Sequence, residues 1–199
     1  PGGSIMRWRH RSFREQHPAR RNTVAIIAIL VSVAIVALLA TRSQAEATSS
    51  ALDDAAIVAI FDLANTADIE TGKLGAERAT NKEVREYGTM LSQVHTEVRQ
   101  KGRDLAKKLG VTPKLPADNT MLRDHTAAME TLRKLHGAEF DRAFLQHEES
   151  FHAAVIAAVK QTLLPAIKNK ELKDFVASLA PAFEAHRVMA GHLQQKIAE

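Results

Sequence analysis

Four polar residues stand where the pattern of this sequence calls for apolar ones. Glu70, His95, His152 and His186 each fall on the apolar stripe of a different predicted helix. Around His95 the stripe runs Val84, Gly88, Leu91, His95, Val98, Gly102, Leu105 and Leu109, at alternating steps of about four and three that mark one helix face. His95 is its only ionisable member. A buried imidazole or carboxylate without a partner costs about 1–3 kcal/mol or more, so such groups pair with one another or with a metal. One polar group from each helix, all directed inward, is how helix bundles build metal sites. Three imidazoles and a carboxylate suit a single borderline transition-metal ion such as zinc, copper or iron.

Further carboxylates lie close in sequence. Asp141, Leu145, Glu148, His152 and Val159 form one stripe, so Glu148 stands one turn before His152. Glu149 and His152 form an E-x-x-H, the spacing used in carboxylate-bridged bundle sites. Glu148 and Glu149 occupy different faces, and at most one of them can point inward. Asp141, Glu148 and Glu149 are therefore additional candidates, as ligands or as acceptors that orient an imidazole. The stripe carrying His186 is Leu172, Val176, Leu179, Phe183, His186, Ala190 and Leu193. His125, His136, His147 and His192 read as surface or edge positions, and Phe140, Phe144, Phe151, Phe175 and Phe183 as core packing.

A single histidine on an apolar face is more often bonded to a carbonyl or carboxylate than to a metal, so two other readings stand beside the metal site. One is a metal-free envelope protein with a structural or interaction role, whose buried Glu/His network loosens below about pH 6 as the histidines charge. The other is a metal-dependent oxidoreductase, which rests on fold analogy alone. The sequence holds no nucleophile–base pair, phosphate loop or nucleotide motif, and no catalytic residue is assigned.

The elements that must position these residues are all helical. Asp53 or Asp54 caps a helix reaching about Ala79, with Ala56, Ile60, Leu63, Ala67, Glu70 and Leu74 as its stripe. Thr80 or Asn81 caps the next, which ends at Gly110. Residues 111–117 hold two prolines and form a loop. A short helix follows from Asp118, with Leu122, His125, Met129 and Leu132 on one side and Gly137 at its end. Helices over about 138–164 and from Asn169 to about Lys196 complete the set, and Pro181 is expected to bend the last one. No strand is expected. The fold class is all-α: an antiparallel up-down four-helix bundle with one short extra helix. Counted from the two tight turns, Glu70 and His95, and likewise His152 and His186, are offset by about 6–8 Å at about 1.5 Å per residue, which side-chain reach can close.

A basic, then apolar, leader precedes the bundle. Seven arginines against two glutamates leave residues 1–47 at +5, and with +4 for the whole chain the remainder comes to −1. The high isoelectric point belongs to the leader, so no nucleic-acid partner is expected for the domain. Residues 23–41 are an uncharged apolar run about as long as the shortest membrane spans. Six arginines precede it and one follows, which puts residues 1–22 in the cytoplasm as a basic tail and the domain beyond the membrane. An anchored protein of a bacterial inner membrane is the favoured expectation; secretion after cleavage near Ala47 is the alternative. Residues 42–52 form a linker, residues 53–197 the bundle domain, and an envelope protein is a candidate partner. Met6 reads as an initiator. There is no cysteine, so the domain relies on its packed core rather than on disulfides.

Several stretches resemble a bacterial family called domain of unknown function 4142. They are Asp68-Ile69-Glu70-Thr71-Gly72-Lys73-Leu74, Gln93-Val94-His95-Thr96, Gly137-Ala138-Glu139-Phe140-Asp141, residues 147–152, and Leu179-Ala180-Pro181 followed by His186. The resemblance implies a ferritin-like bundle, commonly labelled a membrane or exported protein, with Glu70, His95, Asp141, His152 and His186 at recurring polar positions. It implies no reaction. Val94 stands where the family usually has an acidic residue, and Phe144 where it often has tyrosine. A di-iron centre takes a glutamate three residues before each of two histidines, where this chain has Ser92 before His95 and Phe183 before His186. A di-iron oxygenase is therefore disfavoured.

Overall fold

The computed structural model describes residues 52–198, and every described element is helical. The leader, its apolar run and the cleavage position lie outside the described residues. Among the described residues no helix is long and apolar enough to cross a membrane.

Helix α1 spans Asp54–Arg78 and α2 spans Lys82–Lys108. Both start on side-chain caps: Asp53 accepts from the Ala56 N–H at 2.8 Å, and Asn81 accepts from Glu83 and Val84. Gly110, at φ 66°, turns the chain out of α2. Helix α3 is Met121–Lys134, α4 is Gly137–Ala158 and α5 is Lys170–Lys196, capped by Asn169 at the Leu172 N–H. Helix α3 begins three residues later than expected from Asp118. Gly137, expected to end it, instead opens α4 at φ 56°. Pro181 sits inside α5, as the sequence required.

The end of α4 departs from the expected regular helix. Residues Val159–Leu163 form a π-helical turn, followed by one α turn at Leu164–Ala166. Pro165 has no N–H to give, and its ring crowds the carbonyl one turn back, which a widened turn accommodates.

Hydrogen bonds between element ends fix the helix directions. Asp54, at the start of α1, accepts from the Lys168 and Asn169 N–H groups just before α5. At the other end Asp141 of α4 accepts from Thr80 and Asn81 in the α1–α2 turn. Helices α1 and α2 are thus antiparallel, as are α4 and α5. The loop and α3 return the chain before α4 starts, so α4 runs parallel to α2 rather than alternating with it as expected.

The tightest seam joins α1 to α2. A Cβ added at Gly88 would lie 2.6 Å from the Ala76 backbone nitrogen, and one at Gly72 would lie 2.8 Å from the Gly88 carbonyl oxygen. A Cβ at Gly75 would strike the Phe144 ring. Glycine lets these backbones touch. Gly88→Ala is therefore expected to destabilise the protein by about 1–3 kcal/mol, because rigid backbone must move apart. Urea denaturation measures this, and an unchanged midpoint would contradict the seam. Apolar clusters fill both ends: Leu74, Val84, Leu91, Phe140 and Phe144 at one, and Ile57, Val159, Leu172 and Val176 at the other. Between them lies a polar middle.

Candidate metal centre

Three imidazoles meet in that middle. His95 of α2, His152 of α4 and His186 of α5 are all buried, with ring centroids 5.2–5.7 Å apart. One nitrogen from each lies within 4.8 Å of the others. His95 Nε2 and His186 Nδ1 are 3.3 Å apart. Two nitrogens on one tetrahedral zinc ion, each at about 2.0–2.1 Å, would stand about 3.3 Å from each other.

The surroundings fix which nitrogens face inward. The Asn65 amide donates to the Phe61 carbonyl at 2.8 Å, so its oxygen is free to accept. His95 Nδ1 donates to that oxygen at 2.9 Å, leaving Nε2 with its lone pair toward the centre. His152 Nδ1 donates to the Glu148 carbonyl at 2.9 Å, which leaves His152 Nε2 as an acceptor. Tyr87 donates to the His186 carbonyl at 3.1 Å and ties α2 to α5 beside the site. Phe183 stacks on the His95 ring at 5.9 Å.

The carboxylates differ from those expected. Glu70 points outward from α1 and accepts from His125 Nε2 of α3 at 2.7 Å. Its place is taken by Asp68, 4% exposed, whose Oδ2 lies 3.4 Å from His95 Nδ1 and whose Oδ1 lies 3.9 Å from His152 Nε2. Glu148 is fully buried, with Oε2 3.6 Å from His152 Nδ1. Asp68, Glu148 and His152 form a second close triad that shares His152 with the first. Asp141 is buried but is spent on the N-terminus of α2. Glu149 faces the surface, where Gln194 donates to it at 2.7 Å. Neither Asp141 nor Glu149 joins the centre. His125, expected at the surface, is buried under α3 by its bond to Glu70.

Burial governs the protonation of the cluster. It lowers His95 to about 3, with the other two imidazoles adding to the effect, and His152 to about 4. His186 is lowered for the same reason. Burial raises Asp68 well above the usual carboxylate range, and the neighbouring Glu148 raises it further. Glu148 rises to about 7 through burial, partly offset by Thr71 and Asp68 beside it. Without a cation, burial thus favours the neutral forms of the imidazoles and of both acids. Even so, Asp68 Oδ1, His152 Nε2 and both Glu148 carboxyl oxygens are buried with no hydrogen-bond partner. Orphaned polar atoms are expensive in an apolar interior, and a cation is one group that could satisfy those beside His152 Nε2. Two overlapping groups could hold such an ion, His95, His152 and His186 on one side and Asp68, Glu148 and His152 on the other, with His152 common to both.

Asp68 is the residue that sequence reasoning missed. Helix α1 is buried around most of its circumference, so its apolar pattern does not single out a face. The glycines do: Asp68 lies one turn before Gly72 and two before Gly75, on the face that meets α2 and α4.

No curated protein and no solved structure matches the chain. A family model described as Domain of unknown function (DUF4142) matches residues 39–193, nearly the whole of the helical domain and the entire histidine cluster, and the chain belongs to that family.

Proposed function

We propose that this protein is an extracytoplasmic, membrane-anchored metal-binding bundle that holds one transition-metal ion at His95, His152, His186 and Asp68. Two antiparallel helix pairs joined by a long crossover are the order of a ferritin-like four-helix bundle. The observation that carries the reading is the meeting of three buried imidazoles, His95, His152 and His186, beside a buried carboxylate pair, Asp68 and Glu148, that shares His152 with them. Three nitrogens and one oxygen suit a mononuclear site for zinc, copper or ferrous iron. A di-iron centre is disfavoured because Ser92 hydrogen-bonds its own helix and Phe183 packs on His95, where bridging glutamates would be needed. The apolar residues 23–41 would tether the domain on the outer side of the membrane.

Elemental mass spectrometry of the purified, untagged protein tests this. About one equivalent of a single metal is expected as isolated or after reconstitution, and His152→Ala is expected to lose it. No retained zinc, copper or iron after reconstitution would overturn the reading.

A further inference from the structure

The centre is sealed. His95, His152, His186, Asp68 and Glu148 are each at most 7% exposed, so an ion reaches them only when packed elements part. Three seams around the centre are tied. Backbones touch between α1 and α2 at Gly72 and Gly88, Tyr87 bonds α2 to the His186 carbonyl of α5, and Gln194 of α5 bonds Glu149 of α4. At the α1–α4 seam a cavity of about 210 Å³ instead penetrates as far as Asp68 and His95, and Met121 of α3 forms part of its wall. Helix α3 packs on both α1 and α4, and so lies across this seam.

The two ends of α3 are held differently. At its C-terminal end the Arg78 guanidinium donates to the Arg133 and Leu135 carbonyls and meets His136 Nδ1 at 3.0 Å. Met129 and Leu132 are buried there in an apolar cluster. At the N-terminal end no residue before His125 is fully buried, and Leu122 is 58% exposed. Residues 111–120, which lead into this end, form no helix. The polar link of this half to the bundle is His125 Nε2 on the half-exposed Glu70. His125 Nδ1 is buried without a partner, a cost that opening relieves by returning the nitrogen to water. We propose that α3 is a lid, hinged near Leu135 and latched by His125 on Glu70, whose opening admits the ion to the centre and releases it. The gating rests on the metal reading above; the lid motion does not.

Amide hydrogen exchange of the chelator-stripped protein reads the lid without metal. Residues 121–128 are expected to exchange at least about tenfold faster than the middle of α2. Glu70→Ala should raise exchange there by about fivefold or more and leave α2 unchanged, the latch being half-exposed. Stopped-flow transfer of zinc to and from a chromophoric chelator reads the gate. Glu70→Ala should speed uptake and release alike by about fivefold or more, keeping affinity within about twofold. A double variant, Glu70→Cys with His125→Cys, can be joined selectively by a short bis-maleimide because the chain has no cysteine. Joining should slow zinc transfer by about tenfold or more. Exchange over residues 121–128 no faster than in α2, or untouched by Glu70→Ala, overturns the lid. Zinc transfer unaffected by joining overturns the gate, even where the amides show opening. Failure of the unmodified protein to bind zinc overturns the metal reading and the gate with it, while the amide result decides the lid alone.

Discussion

Asp68→Ala is expected to lower the affinity of the centre for zinc by about 100-fold or more, whereas Glu70→Ala should change it by less than about twofold. Loss of a group that merely orients a ligand typically costs 10- to 100-fold, so loss of a direct ligand should cost at least about that much. Asp68 offers a buried, partnerless carboxylate oxygen 3.9 Å from His152 Nε2, the nitrogen left free to bind the ion. Glu70 is half-exposed and serves His125, so its removal disturbs the docking of α3 and not the imidazoles. Competition titration with a chromophoric chelator measures both. Equal losses for the two variants, or none for Asp68→Ala, would show that the carboxylate ligand is misassigned. The contrast is sharp because the two acids are separated by a single residue.

That near miss shows what could be read in the chain. Helix α2 was legible: its outer side is densely charged, so Val84, Gly88, Leu91, His95 and Val98 stand out as one buried face. The caps at Asp53, Asn81 and Asn169 were legible too, since each is a short polar side chain ahead of an apolar run. In α4 the stripe through Leu145 reaches Glu148, and Leu145 and Glu148 are both buried, whereas the sequence left Glu148 and Glu149 as alternatives. Asp141 shares that stripe yet lies two turns nearer the helix start, where backbone N–H groups of another turn claim it. Its role depends on where α1 ends in space, which no local pattern encodes. The same holds for Glu70, whose partner sits on a crossover helix 55 residues away in sequence. The parallel run of α2 and α4 is likewise set by that crossover and not by any helix pattern.

The stability of the metal-free protein should fall steeply with acid, and Glu148 should set how steeply. Four histidines, His95, His147, His152 and His186, are held below their ordinary value of 6.5 in the fold, chiefly by burial. They stay neutral in the folded state but take up protons in the unfolded chain below about pH 6.5. The stability they contribute is present above that pH and is lost as pH falls toward 4. Asp68 and Glu148 act with the opposite sign. Their raised values let the fold take up protons, Glu148 near pH 7, before the unfolded chain does so near its ordinary 4.5 and 3.8. Between about pH 6 and 5 the unfolded chain holds about three protons on His95, His147 and His152 that the fold lacks, against about one that the fold holds on Glu148, while His186 and Asp68 are shifted with opposite effects. The net of two corresponds to about 3 kcal/mol lost per pH unit. Below about pH 4.5 the unfolded carboxylates protonate as well, that offset disappears, and a domain of ordinary stability has little left. Glu148→Gln removes one proton acceptor from the fold and should steepen the loss between pH 6 and 5 to about 4 kcal/mol per unit. Urea midpoints measured across this range in the presence of chelator read the slope directly, whatever the variant does to stability at neutral pH. A flat wild-type profile down to pH 4.5, or an unchanged slope in Glu148→Gln, would mean that these groups are not held as neutral acids and bases in the fold. Bound metal should abolish the Glu148 dependence, because the ion replaces the protons that the cluster otherwise stores.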